Sequence, residues 1–247
     1  MNQSDIHLLD LPNEILIIIL KKLDNTDVLY SLCGINNERL DILVKDDVFT
    51  NTLNFIRTLS IDDVKLDRFY TYILPRSHHN IRKLILDTIS MERILLAGDF
   101  PNLTFLELFN FGEEIIFRYF TDDSIFRHIF KHQITDLILH NNDEYTRETS
   151  LQTYTRNVYS YILALFENLK HLTIVSSSEN EKYPPLSLLD LPPTTYFFSA
   201  LMVLCINVCR IDDCLSVLDG RLKQLNTFIV QINYIGYSSL ISRNTVS

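Results

Sequence analysis

The architecture expected for most of this chain follows from one short run, Ile134-Thr135-Asp136-Leu137-Ile138-Leu139-His140. Two variable residues separate its first apolar residue from the second, and one separates the second from the third. The alternation around Leu137 and Leu139 is typical of a strand that buries one face. The same spacing starts again at other points along the chain, at Ile56, Ile81, Leu103, Leu169, Leu201 and Leu225.

This recurrence predicts a solenoid, because self-similar units at such intervals are characteristic of repeat proteins. Helices are expected between several strands, at residues 62–74, 115–130, 147–167 and 211–218. Strands that alternate with helices form parallel sheets with crossovers of one hand. We therefore predict a mixed α/β fold with a parallel sheet, in which each repeat depends on its neighbours for stability.

A different pattern occupies residues 11–23, which read as a short amphipathic helix. Pro12 suits the first helical turn, and Glu14 places a negative charge near the positive helix end. The apolar residues of this segment cover a face broader than a helix of this length can bury by itself. The face needs either the next two short helices, expected near residues 28–35 and 40–44, or a partner chain.

The N-terminal pattern resembles an F-box over residues 8–48. Many F-boxes carry a tryptophan where this chain has Leu40, and the sequence contains no Trp. The positions that carry the likeness are Leu11, Pro12, Glu14, Ile15, Leu16, Ile19, Leu23, Asp27, Val28, Ser31, Leu32, Ile35, Asn36, Arg39 and Leu40.

The F-box resemblance implies a three-helix module that docks onto the Skp-type adaptor of a cullin-RING ubiquitin ligase. In that family the Leu-Pro opening and the apolar positions after it contact the adaptor. Some of these residues must instead hold the three helices together, and the sequence alone does not separate the two groups. The residues expected to bind the adaptor are Leu11, Pro12, Ile15, Leu16, Ile19, Leu23, Val28 and Leu32.

The repeating units are similar to leucine-rich repeats. That family favours Asn or Cys three residues after the last apolar position, as at Asn142, Cys209 and Asn233, although the other repeats depart from this rule. The chain therefore resembles an F-box protein with irregular leucine-rich repeats. Residues 1–50 would form the F-box-like module, and residues 51–247 a solenoid of about seven irregular repeats.

The variable residues inside each strand point away from the buried leucines. In a leucine-rich solenoid this face is the concave surface, where a protein partner usually binds. The alternative is that neighbouring loops cover these residues. The central positions are Ser60, Ile85, Glu107, Ile138, Thr173, Cys205 and Ile229. The residues expected to bind a client protein are Phe105, Glu107, Phe109, Ile138, His140 and His171.

Composition argues against several other functions. The formal charge is −9 with scattered Lys and Arg, which disfavours nucleic acid and anionic membranes as partners. The first residues lack the basic start and apolar core of a signal peptide, and no apolar run approaches the length of a membrane span. We expect a cytoplasmic or nuclear protein, with cysteines that are reduced.

No catalytic or metal-binding motif is recognisable, so we expect no enzyme activity, cofactor or metal. The cysteines lack ligand spacing, and His78-His79 are interpreted as part of a surface loop. The function predicted is substrate recognition for an SCF-type ubiquitin ligase. The alternatives are a leucine-rich-repeat scaffold that never meets a ligase and an enzyme built on a strand–helix fold. A helix at residues 237–243 is expected to cap the last repeat; the alternatives are that the chain is a fragment whose next repeat is missing or that a partner completes the sheet edge.

Overall fold

The computed structural model describes residues 8–56, 63–111, 113–141, 161–162, 165–176, 200–218 and 222–234. The chain has a mixed α/β architecture in which the paired strands are parallel. It divides into two compact units, residues 1–103 and residues 104–247. The boundary expected after residue 50 lies inside the first unit, and the division into an F-box-like module and a solenoid stays a prediction.

The described residues of the first unit form short helices and two parallel strands, with helices before, between and after the strands. A 3-10 turn at Leu8–Asp10 precedes helix α1, and the helices expected in the N-terminal segment are present. The elements are α1 (Asn13–Leu20), α2 (Asn25–Leu32), α3 (Glu38–Val44), α4 (Asp47–Thr50), β1 (Thr52–Asn54), α5 (Asp63–Arg68), a π-helical turn (Phe69–Ile73), α6 (Leu74–Ser77), β2 (Lys83–Asp87) and α7 (Thr88–Leu95).

Polar residues at the start of α2 connect this helix to the first strand. Asp24 makes no side-chain cap hydrogen bond to the helix. The Asn25 amide instead donates to the carbonyl oxygen of Thr52 at 2.9 Å, and the Thr26 hydroxyl donates to that of Asn54 at 3.2 Å. These bonds satisfy strand-edge carbonyls and join α2 directly to the first strand.

The first repeat begins earlier than the sequence predicted. Its strand is β1, whose Leu53 pairs with Leu84 of β2, and it precedes the expected start at Ile56. Buried Thr50 takes the first position of the pattern, and Leu53 and Phe55 take the other two. The prediction was wrong here because threonine concealed the repeat. Asn54, not Ser60, therefore pairs with Ile85 at the central position; residues 57–62 are outside the described part.

In the described part of the second unit, five parallel strands lie in the sheet in the order of the sequence. The later strands lie where the repeating pattern predicted them, as does α9. The elements are β3 (Phe105–Phe111), α8 (Glu113–Tyr119), a π-helical turn (Ile129–Gln133), β4 (Asp136–Asn141), β5 (His171–Ser176), β6 (Val203–Arg210), α9 (Ile211–Leu218) and β7 (Thr227–Tyr234).

One backbone arrangement is repeated where successive strands begin. The carbonyl oxygen of Thr135 accepts from the amides of Lys170 and His171 at 2.8 and 3.0 Å. Carbonyls at the same position of the pattern accept two amides of the next repeat in the same way, at Asn51, Thr104, Lys170 and Met202. The described strands that follow these carbonyls therefore begin with the same backbone arrangement as well as the same spacing.

The helix expected at residues 115–130 is interrupted. α8 ends at Tyr119, and a turn follows in which the Ser124 amide donates to the Thr121 carbonyl at 3.1 Å. Ser124 also accepts from the Phe126 amide, a local side-chain bond that competes with helix formation. Of the helix expected at 147–167, Tyr161, Ile162 and Leu165 are helical. Residues 142–160, residues 163–164 and the expected cap at 237–243 lie outside the described residues.

The core of the second unit combines strand leucines with a cluster of phenylalanines. Phe130 lies 4.9 Å from Phe120 and 5.8 Å from Phe166, measured between ring centroids. All three rings are fully buried. The leucines of the pattern, including Leu137 and Leu139, occupy the buried face of the sheet. The residues between them are thereby directed to the opposite face.

Candidate protein-binding surfaces

Helix α1 in the first unit is apolar on both its inner and its outer side. Leu16 and Leu20 are buried at 1% and 5% exposure, and they form the inner side. Ile15, Ile18 and Ile19 are 42%, 57% and 39% exposed. A helix that is apolar all round is normally buried on all sides. The outer side of α1 is therefore an apolar surface that none of the described residues of the first unit covers.

The eight residues expected to bind an adaptor fall into three groups. Leu16 and Val28 are buried and hold the helices together, so a partner cannot reach them in this conformation. Leu11 and Leu32 are half-buried. The accessible members are Pro12, Ile15, Ile19 and Leu23. The structure thus separates packing residues from surface residues, a distinction that the sequence left open.

Several exposed apolar residues of this region were not among the eight. Ile18 lies on the outer side of α1, and Leu8 and Leu9 belong to the 3-10 turn before it. Ile35 and Ile42 are also exposed, the latter on α3. The sequence signal for Ile18 was its place in the helical period. Leu8 and Leu9 precede the periodic segment, so no periodicity could identify them.

On the face of the second unit's strands opposite the buried leucines, paired residues of successive strands form rows across the sheet. The central row joins Glu107, Ile138, Thr173, Cys205 and Ile229 through successive strand pairings. These are the residues that the sequence predicted at the central positions of these strands. Its members are half-buried, except Ile229, which is exposed.

Phe109, Glu107 and His140 form a compact group on this face. Nε2 of His140 lies 2.9 Å from Oε1 of Glu107. An ionised carboxylate can only accept a hydrogen bond, so Nε2–H is the donor at neutral pH. The His140 ring also stacks on Phe109 with a centroid separation of 3.7 Å and an interplanar angle of 9°. The contact covers one face of the Phe109 ring, which reduces the area that a client can contact.

A second histidine–carboxylate pair lies one strand further along. Nδ1 of His171 on β5 contacts Oδ1 of Asp136 on β4, its direct partner in the strand register. The Thr135 hydroxyl donates to the other oxygen of Asp136 at 2.6 Å. Among the six expected client residues, His171 is exposed, and Phe105, Glu107, Phe109, Ile138 and His140 are half-buried. Asp136 was not among the six, and only the strand register identifies it as a partner.

The histidine pair of the first unit is not a simple surface loop. His78 follows α6 and is half-buried; its ring packs against Phe100 at 6.1 Å and beneath Gly98. Burial of the imidazole, with a smaller effect from His79, lowers the pKa of His78 below its ordinary value. In the same unit, burial and the nearby Asp41 carboxylate raise the pKa of the Cys33 thiol.

Two further findings concern only the part of the chain that the structure describes. No group of three or more His, Cys, Asp or Glu side chains in these ranges is placed to hold a metal ion. No helix in them is both long enough and apolar enough to cross a bilayer.

Comparison with known proteins finds no family model that matches the chain and no curated protein that matches it.

Proposed function

We propose that this protein is the substrate-recognition subunit of a cullin-RING ubiquitin ligase of the SCF type. The N-terminal helices dock a Skp-type adaptor, and the strand face of the second unit binds a client protein. The contribution of this chain to ubiquitin transfer is proximity, because holding a client beside the ligase raises its effective concentration. The chain itself supplies no catalytic residue in this scheme.

The observation that carries the proposal is the exposed outer side of α1. Ile15, Ile18 and Ile19 place a contiguous apolar strip on the surface of a helix whose inner side is already packed. Clustered exposed apolar side chains of this kind mark protein-binding surfaces more often than scattered single ones. The F-box resemblance names the occupant, since an adaptor contacts this segment in that family.

The absence of Trp from the sequence is compatible with adaptor binding. Leu40 stands at the corresponding position, and it is buried in the first unit. An apolar residue therefore fills this site from within the chain. The chain would bind the adaptor through the residues of α1 and the preceding turn.

The strand face supports the client-binding part of the proposal. Ile138 is the half-buried second member of the central row, and it lies near two histidine–carboxylate pairs. A partly apolar centre with polar groups around it is the usual anatomy of a protein interface. Replacement of Ile138 by Asp is expected to remove client proteins while leaving the adaptor bound.

The same strand face also suits the alternative function, a repeat scaffold without a ligase. The two functions differ only in the adaptor. Co-expression of the full chain with a Skp-type adaptor, followed by purification on a tag carried by the chain, separates them. We expect the adaptor to co-purify with the wild type and to be lost from the double variant Ile15→Asp/Ile19→Asp.

The matched control is Ile89→Asp, which places the same charge on an apolar residue that is 86% exposed on α7 of the same unit. This control should retain the adaptor. Failure of the wild type to retain the adaptor would reject the ligase function in favour of the scaffold. Equal retention by all three proteins would reject the outer side of α1 as the docking surface.

A further inference from the structure

The turn that precedes α1 is ordered although its side chains bury little. Leu8, Leu9 and Asp10 form this 3-10 turn, and all three are exposed. A segment whose apolar side chains face water gains little from packing, so its backbone must be held by other means.

Arg39 of α3 holds this backbone in place through hydrogen bonds. Its Nη1 donates to the carbonyl oxygen of Leu9 at 2.6 Å, and its Nη2 donates to that of Leu11. Its Nε donates to Oδ1 of Asn13, the first residue of α1, at 2.7 Å. One guanidinium thus binds three acceptors of a segment that lies 26 to 30 residues earlier in the chain.

We infer that Arg39 is a positioning residue that presents Leu8, Leu9 and the start of α1 to a protein partner as one preorganised apolar ridge. The inference rests on the proposed function, because the partner it assumes is the adaptor. Without Arg39, the turn would have to be ordered at the moment of binding. Fixing even one residue of backbone costs roughly a tenfold factor in affinity.

The hydrogen-bond geometry also indicates how a substitution can keep the positive charge at position 39 while removing the shape of the guanidinium. The planar guanidinium offers donors in a fixed fork, whereas a lysine ammonium is a point charge on a flexible stem. Lysine at position 39 preserves the positive charge but cannot span the Leu9 carbonyl, the Leu11 carbonyl and the Asn13 side chain together. Both Arg39→Lys and Arg39→Ala should therefore release the turn.

The test is calorimetric titration of the full chain with a purified Skp-type adaptor, for the wild type, Arg39→Lys, Arg39→Ala and the control Arg76→Ala. Arg76 is an exposed arginine of the same unit that donates locally, to the Tyr72 carbonyl in the π-helical turn just before α6. We expect both Arg39 variants to bind at least about tenfold more weakly, and Arg76→Ala to bind like the wild type. Unchanged melting temperatures would exclude general unfolding as the cause.

Tight binding by the wild type and equally tight binding by Arg39→Lys would overturn the inference while leaving the proposed function intact. Absence of binding by the wild type would instead reject the proposed function.

Amide hydrogen exchange keeps the role of Arg39 testable in either case. The Leu11 amide, which donates to the Leu8 carbonyl at 3.3 Å, should exchange faster in Arg39→Lys than in the wild type. Equal exchange rates would refute the positioning role.

Discussion

His140 on β4 reaches across to β3 and places its Nε2 2.9 Å from Oε1 of Glu107. These residues are 33 positions apart in the sequence, and the strand register brings them together. The same imidazole stacks on Phe109. Because one ring makes both contacts, the middle of the proposed client surface has a defined shape before any client arrives.

Substitutions of His140 should separate these two contacts. His140→Phe keeps an aromatic ring against Phe109 and loses the hydrogen bond, whereas His140→Ala loses both. Stacking contributes about 0.5–1.5 kcal/mol beyond burial, so we expect His140→Ala to lower the free energy of unfolding by about 1 kcal/mol more than His140→Phe. Urea denaturation monitored by circular dichroism measures both values. Identical losses would show that the stack contributes nothing to stability.

The revised start of the first repeat leads to a second prediction. Leu53 is fully buried and pairs with Leu84, so Leu53→Ala should lower the free energy of unfolding by about 2–5 kcal/mol. Ile56 is half-buried and follows the strand, so Ile56→Ala should cost clearly less. Thermal or urea unfolding of the two variants provides the comparison. A larger loss for Ile56→Ala would restore the repeat start that the sequence predicted.

A third prediction concerns pH. The pKa of His78 lies below its ordinary value of 6.5, so the unfolded chain takes up a proton at this site before the folded chain does. The contribution of His78 to stability is therefore complete above pH 6.5, falls as pH drops below that value, and levels off below the folded pKa.

His78→Phe should make the fall in stability below pH 6.5 shallower than in the wild type. The exposed His128 provides the control, because His128→Phe removes a histidine that is not packed against the protein interior. Urea denaturation across the acid range gives the three slopes. A steep dependence that persists in His78→Phe would mean that other groups are responsible.

The strands of the second unit could be predicted because each depends on local spacing. The same position of four successive repeats is a buried leucine, at Leu106, Leu137, Leu172 and Leu204, so the pattern survives even where the connecting segments differ. The start of the first repeat was not predicted, because Thr50 stands at a position where the pattern calls for an aliphatic residue. Thr50 is nevertheless as buried as an aliphatic residue would be. Hydropathy does not indicate whether the hydroxyl of a buried threonine has a hydrogen-bond acceptor, which for Thr50 is the Asp46 carbonyl.

The division of α1 into an inner and an outer side could not be predicted in the same way. Ile15 and Leu16 are neighbours of nearly equal hydrophobicity, and tertiary packing decides that Leu16 is buried while Ile15 is exposed. The role of Arg39 was also beyond the reach of the sequence. Its three acceptors are two backbone carbonyls and one side-chain amide oxygen. Every residue has a backbone carbonyl, so residue type does not reveal which carbonyls accept a hydrogen bond.

Hydroxyl-radical footprinting with mass spectrometry tests the central claim most directly, by comparing the full chain alone with the chain saturated by a Skp-type adaptor. We predict that oxidation of Ile15, Ile18, Ile19 and Leu23 falls on complex formation, while oxidation of Ile89 and of the exposed His171 stays unchanged. Unchanged oxidation along α1 in the presence of bound adaptor, or protection confined to the strand face of the second unit, would contradict it.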